Sequence, residues 1–371
     1  MPLTSSSRGS RAKPCCASCW ICISISARAI CSASHASCAA KWPAPSPKPH
    51  QPVTALPIDS GAIAGQSRLS FSVIYSGPSA FMPDQPIFPN GVRELIDQID
   101  CVILDLWGCM HDGVACYPAA MDCLHRLRQA GKKVAIISNA PRRISEVATR
   151  IAEMGITPDL YDGVYSSGEE TWHQLHDRPT PEFRHIGRKV YPFMSAKDQS
   201  LLSGLNLDVV RDVSRAGFLL AIGVDGPQDT VEQFEDVLRQ AVWDGLPLIC
   251  ANPDLLVHRG GVAEICAGAI AARFQQLGGK VIYNGKPHRG IYQRCFAEMK
   301  IDDPARVLAI GDSCRTDVAG AMAAGAKSLF LGGGIHHAEV LRGGVIDQAL
   351  TIALLQKYEV MADYAMPALA W

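Results

Sequence analysis

Four short polar segments of the chain carry residue types that suit phosphoryl transfer. Each segment follows a run of apolar, β-prone residues. The polar residues at the ends of these runs are Asp105, Ser138 with Asn139, Lys286, and Asp312 with Asp317. A carboxylate, a hydroxyl, a lysine and a carboxylate pair fit a reaction in which positioning and charge neutralisation supply most of the rate acceleration. The residue types therefore indicate phosphoryl-transfer chemistry.

The apolar runs before these residues predict the strands of a parallel sheet. Short β-rich runs alternate with longer helical patterns, which is typical of an α/β protein whose sheet is covered by helices. The predicted strands are 101–104, 134–137, 281–283, 307–310 and 328–331. The carboxyl ends of strands in an open α/β sheet form the crevice where ligands bind. We therefore expect the first four polar ends to converge on one site.

A second α/β domain is predicted between residues 165 and 275. The long stretch between the helical pattern at 144–155 and the apolar run at 281–283 has strand and helix candidates of its own. These candidates are strands at 189–193, 218–223 and 246–249 and a helix at 230–242. So long an insertion predicts a cap domain over the crevice. The core domain would then comprise 85–164 and 276–371, with a Rossmann-like three-layer parallel sheet.

The N-terminal segment 1–84 differs in composition from the rest of the chain. It is rich in Ser, Ala, Cys and Pro, poor in acidic residues, and has no sustained helix or strand period. We expect a disordered extension, or a true start near Met82, with a transit peptide as the alternative. The motif Cys16-x-x-Cys19-x-x-Cys22 could bind a metal, but no fourth ligand stands at a matching spacing.

The composition favours a water-soluble enzyme and disfavours polyanion partners. The 371 residues are 48% hydrophobic and 19% charged, with a formal net charge of -1, so neither nucleic acid nor an anionic membrane is an expected partner. No apolar run is long enough for a membrane-spanning helix. The cysteines after the N-terminal segment lie in apolar settings, which predicts reduced thiols and a cytoplasmic location, or an organellar one if a transit peptide is present. A homodimer is compatible with the sequence.

The four polar segments, in this order and spacing, resemble the motifs of the haloacid dehalogenase superfamily. The resemblance covers about residues 92–335 and is specifically to the class IIA phosphatases, the NagD-like and nitrophenylphosphatase-like group with a cap inserted after the second motif. The motifs are Asp105-Leu106-Trp107-Gly108, Ser138-Asn139-Ala140, Asn284-Gly285-Lys286-Pro287-His288 and Gly311-Asp312-Ser313-Cys314-Arg315-Thr316-Asp317. The resemblance is specific for the superfamily and less specific for the activity.

This resemblance implies a Mg²⁺-dependent phosphatase that acts on a small phosphorylated metabolite through an aspartyl-phosphate. Asp105 would be the nucleophile, Ser138 would hold phosphoryl oxygens, and Lys286 would neutralise developing charge. The implied metal ligands are Asp105, the backbone carbonyl of Trp107, Asp312 and Asp317. For Asp317 the alternatives are a metal-bound water or the orientation of Lys286. The further phosphate- and substrate-binding candidates are Asn139, Gly108, and Asn252 and Asp254 of a cap segment that could equally form an Asx-Pro turn.

Trp107 departs from the pattern of most phosphatases in the superfamily. They carry there a second aspartate that protonates the leaving group, and such general acid-base assistance is worth about 10² to 10⁴ in rate. Haloacid dehalogenases proper carry an aromatic residue at this place, so a metal-independent carbon-halogen hydrolase is one alternative, although Asp312 and Asp317 are not needed for that reaction. A phospholigand-binding or vestigial protein with little turnover is another. We hypothesise that Asp112 replaces the missing acid.

Overall fold

The computed structural model describes residues 85–195, 198–259 and 262–371, except the side chains of residues 258 and 259. The predictions for the N-terminal segment, including the extension or transit peptide and the three-cysteine motif, lie outside the described residues. Within the described part of the chain, no helix has both the length and the apolar character that a membrane crossing requires.

The first sheet consists of six parallel strands and forms the predicted Rossmann-like core. In spatial order the strands are β15 (Tyr364–Met366), β12 (Lys327–Leu331), β11 (Val307–Gly311), β1 (Cys101–Leu104), β2 (Lys133–Ser138) and β3 (Gly163–Ser166). Val102 and Leu104 of β1 pack into one apolar cluster, whereas Cys101 and Ile103 pack into another on the opposite face. Both faces are therefore covered, as expected of a parallel sheet, and the predicted three-layer α/β architecture is confirmed.

Ten α-helices lie in the described residues. They are α1 (Pro118–Gln129), α2 (Ile144–Glu153), α3 (Ser167–Asp177), α4 (Pro181–His185), α5 (Glu235–Trp243), α6 (Ala267–Gln276), α7 (Arg289–Met299), α8 (Ala319–Ala324), α9 (His337–Val340) and α10 (Gln348–Lys357). Their sequences explain their packing. In α2 the buried Val147 and Ile151 are four residues apart, so they share the face that packs on the first sheet. Pro118 starts α1, where the missing N–H is not needed.

The second sheet has five parallel strands and its own two apolar clusters. In spatial order these are β10 (Val281–Tyr283), β7 (Leu248–Cys250), β6 (Phe218–Ala221), β4 (Lys189–Phe193) and β5 (Asp208–Val209). Two small antiparallel hairpins complete the described strands: β8 (Leu256–Arg259) with β9 (Val262–Ile265), and β13 (Leu341–Arg342) with β14 (Val345–Ile346). The strand candidates at 189–193, 218–223 and 246–249 thus contribute to this second sheet, while the cap domain itself stays a prediction.

One predicted strand belongs to a different sheet from the one expected. Val281–Tyr283 is a strand, but it pairs with Leu248–Cys250 in the second sheet and does not resume the first. The second sheet therefore continues beyond residue 275, the predicted end of the cap, while the exact domain limits stay a prediction. The physical reason is that a local apolar run specifies an extended backbone but not the strand with which it pairs.

Candidate active site

Asp105 lies at the carboxyl end of β1, in contact with a buried lysine. Its backbone N–H donates to the Ile310 carbonyl over 3.0 Å, which extends the pairing between β1 and β11 by one residue. Lys286 donates from Nζ to Asp105 Oδ1 over 2.7 Å and to Asp317 Oδ1 over 2.6 Å. Burial would lower the pKa of Lys286, but the two carboxylates outweigh it and hold that pKa well above its ordinary value. Lys286 is therefore a fixed cation beside Asp105.

The loop that carries Lys286 is attached to the end of β2 through Asn139. The Lys286 N–H donates to Asn139 Oδ1 over 2.8 Å, and Asn139 Nδ2 donates to the Lys286 carbonyl over 3.1 Å. Asn139 Nδ2 also donates to Asp254 Oδ1 over 2.9 Å. Gly285 has a φ of +95°, and a Cβ there would lie 2.6 Å from Asn139 Oδ1, so this turn requires glycine. The amide of Asn139 thus joins the lysine loop to the segment after β7.

The two aspartates after β11 have different surroundings. Asp312 Oδ2 accepts a hydrogen bond from Ile335 N–H over 2.7 Å, and no hydrogen bond to Oδ1 is found among the described residues. Asp317 uses both oxygens, because Oδ1 accepts from Lys286 and Oδ2 accepts from Ser313 N–H over 3.1 Å. Asp312 therefore has one carboxylate oxygen without a hydrogen bond among the described residues, whereas Asp317 holds the lysine.

Gly108 and Gly334 enclose the Asp312 carboxylate. A Cβ on Gly108 would lie 2.0 Å from Asp312 Oδ2, and one on Gly334 would lie 1.9 Å from it. Gly108 also has a φ of +72°, and its N–H donates to the His111 carbonyl over 2.9 Å. That N–H is consequently engaged within the turn, so the structure gives Gly108 a close-approach role and no free amide for the predicted phosphate contact.

The donor set fits a hard divalent cation. One ligand atom each from Asp105, Cys109 and Asp312 lies within 4.8 Å of the other two, and all three residues are buried. Burial, then the neighbouring Asp105 and Asp317 charges, raises the pKa of Asp312 well above its usual range. Three buried carboxylates face one lysine, so a bound cation would relieve their repulsion. Asp105 and Asp312 are the residues that would hold Mg²⁺, which prefers oxygen ligands. Asp317 is not in this group.

All the predicted site residues line one cavity of about 750 Å³. They are Asp105, Trp107, Gly108, Ser138, Asn139, Asn252, Asp254, Lys286, Asp312 and Asp317. Ser138 is buried, and its Oγ accepts from the Ala140 N–H over 3.2 Å, which leaves the hydroxyl hydrogen available to a ligand. Asn252 Oδ1 accepts from the Asp254 N–H over 3.0 Å, so the Asx turn considered for this segment is present. The sequence motifs therefore come together as predicted in space.

Trp107 is half-buried and packs in a compact arrangement with the residues that follow it. Its ring meets the His111 ring edge-on, with centroids 5.1 Å apart. A Cβ on Gly113, whose φ is +89°, would lie 2.3 Å from Trp107 Cη2. Burial lowers the pKa of His111 to about 4, and its Nδ1 accepts from the Gly113 N–H over 3.0 Å. Neither the indole nor this neutral imidazole is a proton donor suited to a leaving alkoxide.

Asp112 does not have the environment of a general acid. The residue is exposed, and its Oδ1 accepts from the N–H groups of Ala115 over 2.9 Å and Val114 over 2.8 Å. These bonds hold the pKa of Asp112 below its usual value, because they favour the ionised form. A proton donor to a leaving group needs the opposite shift.

Two residues near the site were missed by sequence reasoning. Cys109 belongs to the metal-compatible group, and only its position four residues after Asp105 could have indicated it. Glu170 Oε2 accepts from the Gly285 N–H over 2.7 Å, one residue before Lys286. Burial raises the pKa of Glu170 to about 7. Glu170 follows no motif, and its link to the lysine loop arises only from the packing of α3.

Comparisons with known proteins agree with this arrangement. A family model described as haloacid dehalogenase-like hydrolase matches residues 102–208, and a HAD-hydrolase-like model matches residues 283–356. A haloacid dehalogenase-like hydrolase from Brucella suis 1330 is 29% identical, with a TM-score of 0.65, over 76% of this chain and 100% of that one.

Two characterised relatives are similar over most of their length. Chronophin from Rattus norvegicus is 27% identical over 231 residues, which cover 61% of this chain and 74% of that protein. The D-glycerol 3-phosphate phosphatase of Mycobacterium tuberculosis is 25% identical over 251 residues, 67% of each chain. Together with the site geometry and the family models, these similarities show that the chain belongs to the haloacid dehalogenase superfamily of hydrolases.

Proposed function

We propose that this chain is a Mg²⁺-dependent phosphatase that hydrolyses small phosphorylated metabolites through an aspartyl-phosphate on Asp105. The observation that carries the proposal is the buried contact of Lys286 Nζ with both Asp105 and Asp317, next to an Asp312 carboxylate with an open oxygen. The family supports hydrolysis of a phosphoric monoester, and one relative is named as a D-glycerol 3-phosphate phosphatase.

The residues divide the reaction between them. A carboxylate oxygen of Asp105 would form the bond to phosphorus while the bond from phosphorus to the substrate oxygen breaks, and water would then release phosphate from Asp105. Lys286 would neutralise charge on the nucleophile and the phosphoryl group, and Asp317 would keep Lys286 in place. The Ser138 hydroxyl would hold a phosphoryl oxygen. When bound, Mg²⁺ would supply positive charge to the phosphoryl oxygens.

Asn139, Asn252 and Asp254 would determine how the substrate meets the cap. Asn139 lies at the end of β2, while Asn252 and Asp254 follow β7 of the second sheet, and all three line the cavity. Burial raises the pKa of Asp254, against the opposing influence of Lys286 and Asn139. We therefore propose these residues as contacts that select the group esterified to phosphate.

The leaving group would depart without strong protonation. Trp107 occupies the place of the usual acid, and Asp112 is exposed and hydrogen-bonded in its ionised form. We therefore propose that aryl phosphates, whose leaving groups are stable as anions, are hydrolysed faster than sugar phosphates.

A phosphate-release screen across a metabolite panel tests the function. Wild-type protein is assayed with and without Mg²⁺, and Asp105→Asn serves as the inactive control. Release that needs both Mg²⁺ and Asp105 supports the proposal. Mg²⁺-independent release of halide from haloacids would replace it with the dehalogenase alternative, and tight phosphate-ester binding without turnover would replace it with the vestigial one.

The cellular setting is a further part of the proposal. The eight cysteines in the described residues are all free, which supports a reducing compartment such as the cytoplasm. A homodimer and the absence of nucleic acid from its partners remain predictions. Light scattering at several protein concentrations measures the first, and a filter-binding assay at low salt measures the second.

A further inference from the structure

Cys109 lies where a metal ion in the proposed site would meet a sulfur atom. The residue is 1% exposed, and its Sγ lies within 4.8 Å of a carboxylate oxygen from Asp105 and one from Asp312. Asp105 and Cys109 come from the turn after β1, whereas Asp312 comes from the end of β11, so two separate chain segments contribute. The three atoms are close enough to share one cation.

A second observation indicates that this group has room for a ligand. Asp312 is 7% exposed; its Oδ2 accepts from Ile335, and no partner for Oδ1 occurs in the described part of the chain. Asp312 lines the cavity, and a carboxylate oxygen without a donor there can accept a cation. Cys109 also has no hydrogen-bond partner among the described residues, and it packs in the first apolar cluster on its other side.

The chemistry of the three ligands separates two classes of cation. Mg²⁺ takes oxygen ligands and has little affinity for sulfur, so it would use the carboxylates alone. Zn²⁺, Co²⁺ and Cd²⁺ bind thiolates strongly, and a mixed set of one sulfur and two carboxylates suits them better than oxygen ligands alone. A thiophilic cation would therefore gain the Cys109 sulfur as a ligand, which Mg²⁺ does not use.

We propose that Cys109 is a third protein ligand for thiophilic divalent cations, which bind at the Asp105 and Asp312 carboxylates and exclude Mg²⁺. On binding, the S–H bond of Cys109 breaks, a metal–sulfur bond forms, and the proton passes to solvent. The proposal rests on the metal site of the proposed function but not on its turnover. The consequence is inhibition of the phosphatase by zinc through a residue that takes no part in the reaction.

The test is a Co²⁺ titration of the full chain in metal-free buffer, followed by near-ultraviolet absorption. Sulfur-to-cobalt charge transfer reports a Co²⁺–thiolate bond. Because other cysteines can bind Co²⁺, the relevant absorption is the component lost in Asp312→Asn. We expect the same component to be lost in Cys109→Ser, with Co²⁺ affinity at this site weaker by at least about tenfold, since even the loss of outer-sphere partners costs that much.

Cys123→Ser is the matched control, because Cys123 is equally buried in the same apolar cluster but is not part of the group formed by Asp105, Cys109 and Asp312. It should keep the absorption component. If Cys109→Ser does not fold, as judged by its thermal transition, Cys109→Ala replaces it. Retention of the component in a folded Cys109 variant, or its absence from the wild type, overturns the proposal. If the absorption component is missing but Mg²⁺-dependent phosphate release is intact, only this inference is refuted. If the component is present but no phosphate is released, only the proposed function is refuted.

Discussion

The candidate active site has two halves, one formed by buried charged residues and the other by a packed indole and its neighbours. The charged half, comprising Asp105, Lys286, Asp312 and Asp317, is a buried group in which Lys286 donates short hydrogen bonds to Asp105 and Asp317. The tryptophan half, comprising Trp107, His111, Asp112 and Gly113, holds an indole against glycine and a neutral imidazole. Under the proposed function, the charged half has the groups expected for attack on phosphorus, whereas the tryptophan half has no buried acid to protonate the leaving group.

Replacement of Lys286 by Met should have the largest effect, because it breaks the charged half. Asp105 and Asp317 would lose their shared cation, which should reduce kcat by at least about 10³. In the absence of Mg²⁺, it should also lower the free energy of unfolding by about 3 to 5 kcal/mol. Steady-state kinetics and denaturant unfolding measure the two effects. Lys280→Met is the control, because the Lys280 side chain is 66% exposed, and an equal loss in both variants would contradict the assignment.

Replacement of Trp107 by Asp tests whether the tryptophan half lacks only a proton donor. The new carboxylate would stand at the place of the usual acid, so the rate on alkyl phosphates relative to aryl phosphates should rise by about 10². The measurement is the dependence of kcat/KM on leaving-group pKa. Trp107→Phe should keep the wild-type slope. A wild-type enzyme that is already insensitive to the leaving group would show that an acid exists elsewhere.

Replacement of Gly113 by Ala should disturb the indole position. The Cβ would clash with Trp107 Cη2, and φ at this residue is +89°, so we expect a stability loss of about 1 to 3 kcal/mol. Gly131→Ala is the matched control, because Gly131 also has positive φ, +70°, but no atom lies within 4 Å of the new Cβ. Thermal unfolding and tryptophan fluorescence should distinguish the two. Equal losses and unchanged fluorescence would mean that the indole adjusts freely.

The pH dependence of the free energy of unfolding should show the contribution of Glu170, which binds the loop that carries Lys286. Burial raises the pKa of Glu170 to about 7 from an ordinary value of 4.5, so the unfolded chain loses this proton first as pH rises. Stability from this group is then present at low pH and declines between about pH 4.5 and about pH 7. Glu170→Gln should lack that decline and should unfold at a higher temperature than wild type near pH 8. Parallel melting curves for the two proteins at all pH values would contradict this.

Replacement of Asp112 by Asn should have the smallest effect. An asparagine oxygen can still accept from Val114 and Ala115, and the exposed carboxylate is favoured in its ionised form. We expect both alkyl and aryl phosphate hydrolysis to change by less than about twofold, in assays run side by side. A selective loss of alkyl phosphate hydrolysis would restore the hypothesis that Asp112 is the acid.

The sequence predicted the charged half because its residues follow strands. Apolar runs before Asp105, Ser138 and Asp312 specify three neighbouring parallel strands, and parallel strands place their carboxyl ends together. The prediction placed Lys286 correctly in the site but assigned the strand before it to the wrong sheet. Its strand pairs within the second sheet, and the bonds of its loop to Asn139 and Glu170 hold it next to Asp105. Pairing between distant segments has no local signature in the sequence.

The features that were missed depend on packing between distant or irregular segments. β3 and β15 are short edge strands of the first sheet, and neither has a clear alternation of apolar residues. The contact between Trp107 and Gly113, and the approach of Cys109 to Asp312, depend on the path of an irregular turn with positive φ at two glycines. The sequence identifies those glycines, but it does not give the direction in which the turn folds.

Because Lys286 closely follows β10 of the second sheet, the second sheet cannot be replaced as a unit without affecting the first sheet's active site. Removing the second sheet as one unit would remove β10, whose last residue, Tyr283, precedes Lys286 by three positions in the chain. A grafted cap must therefore end on a strand that points at Asn139 and must leave a glycine free to turn there. In the proposed cap architecture, substitutions at the cap surface would leave Lys286 in place, whereas replacement of the whole cap would remove the positive charge that Lys286 brings to Asp105.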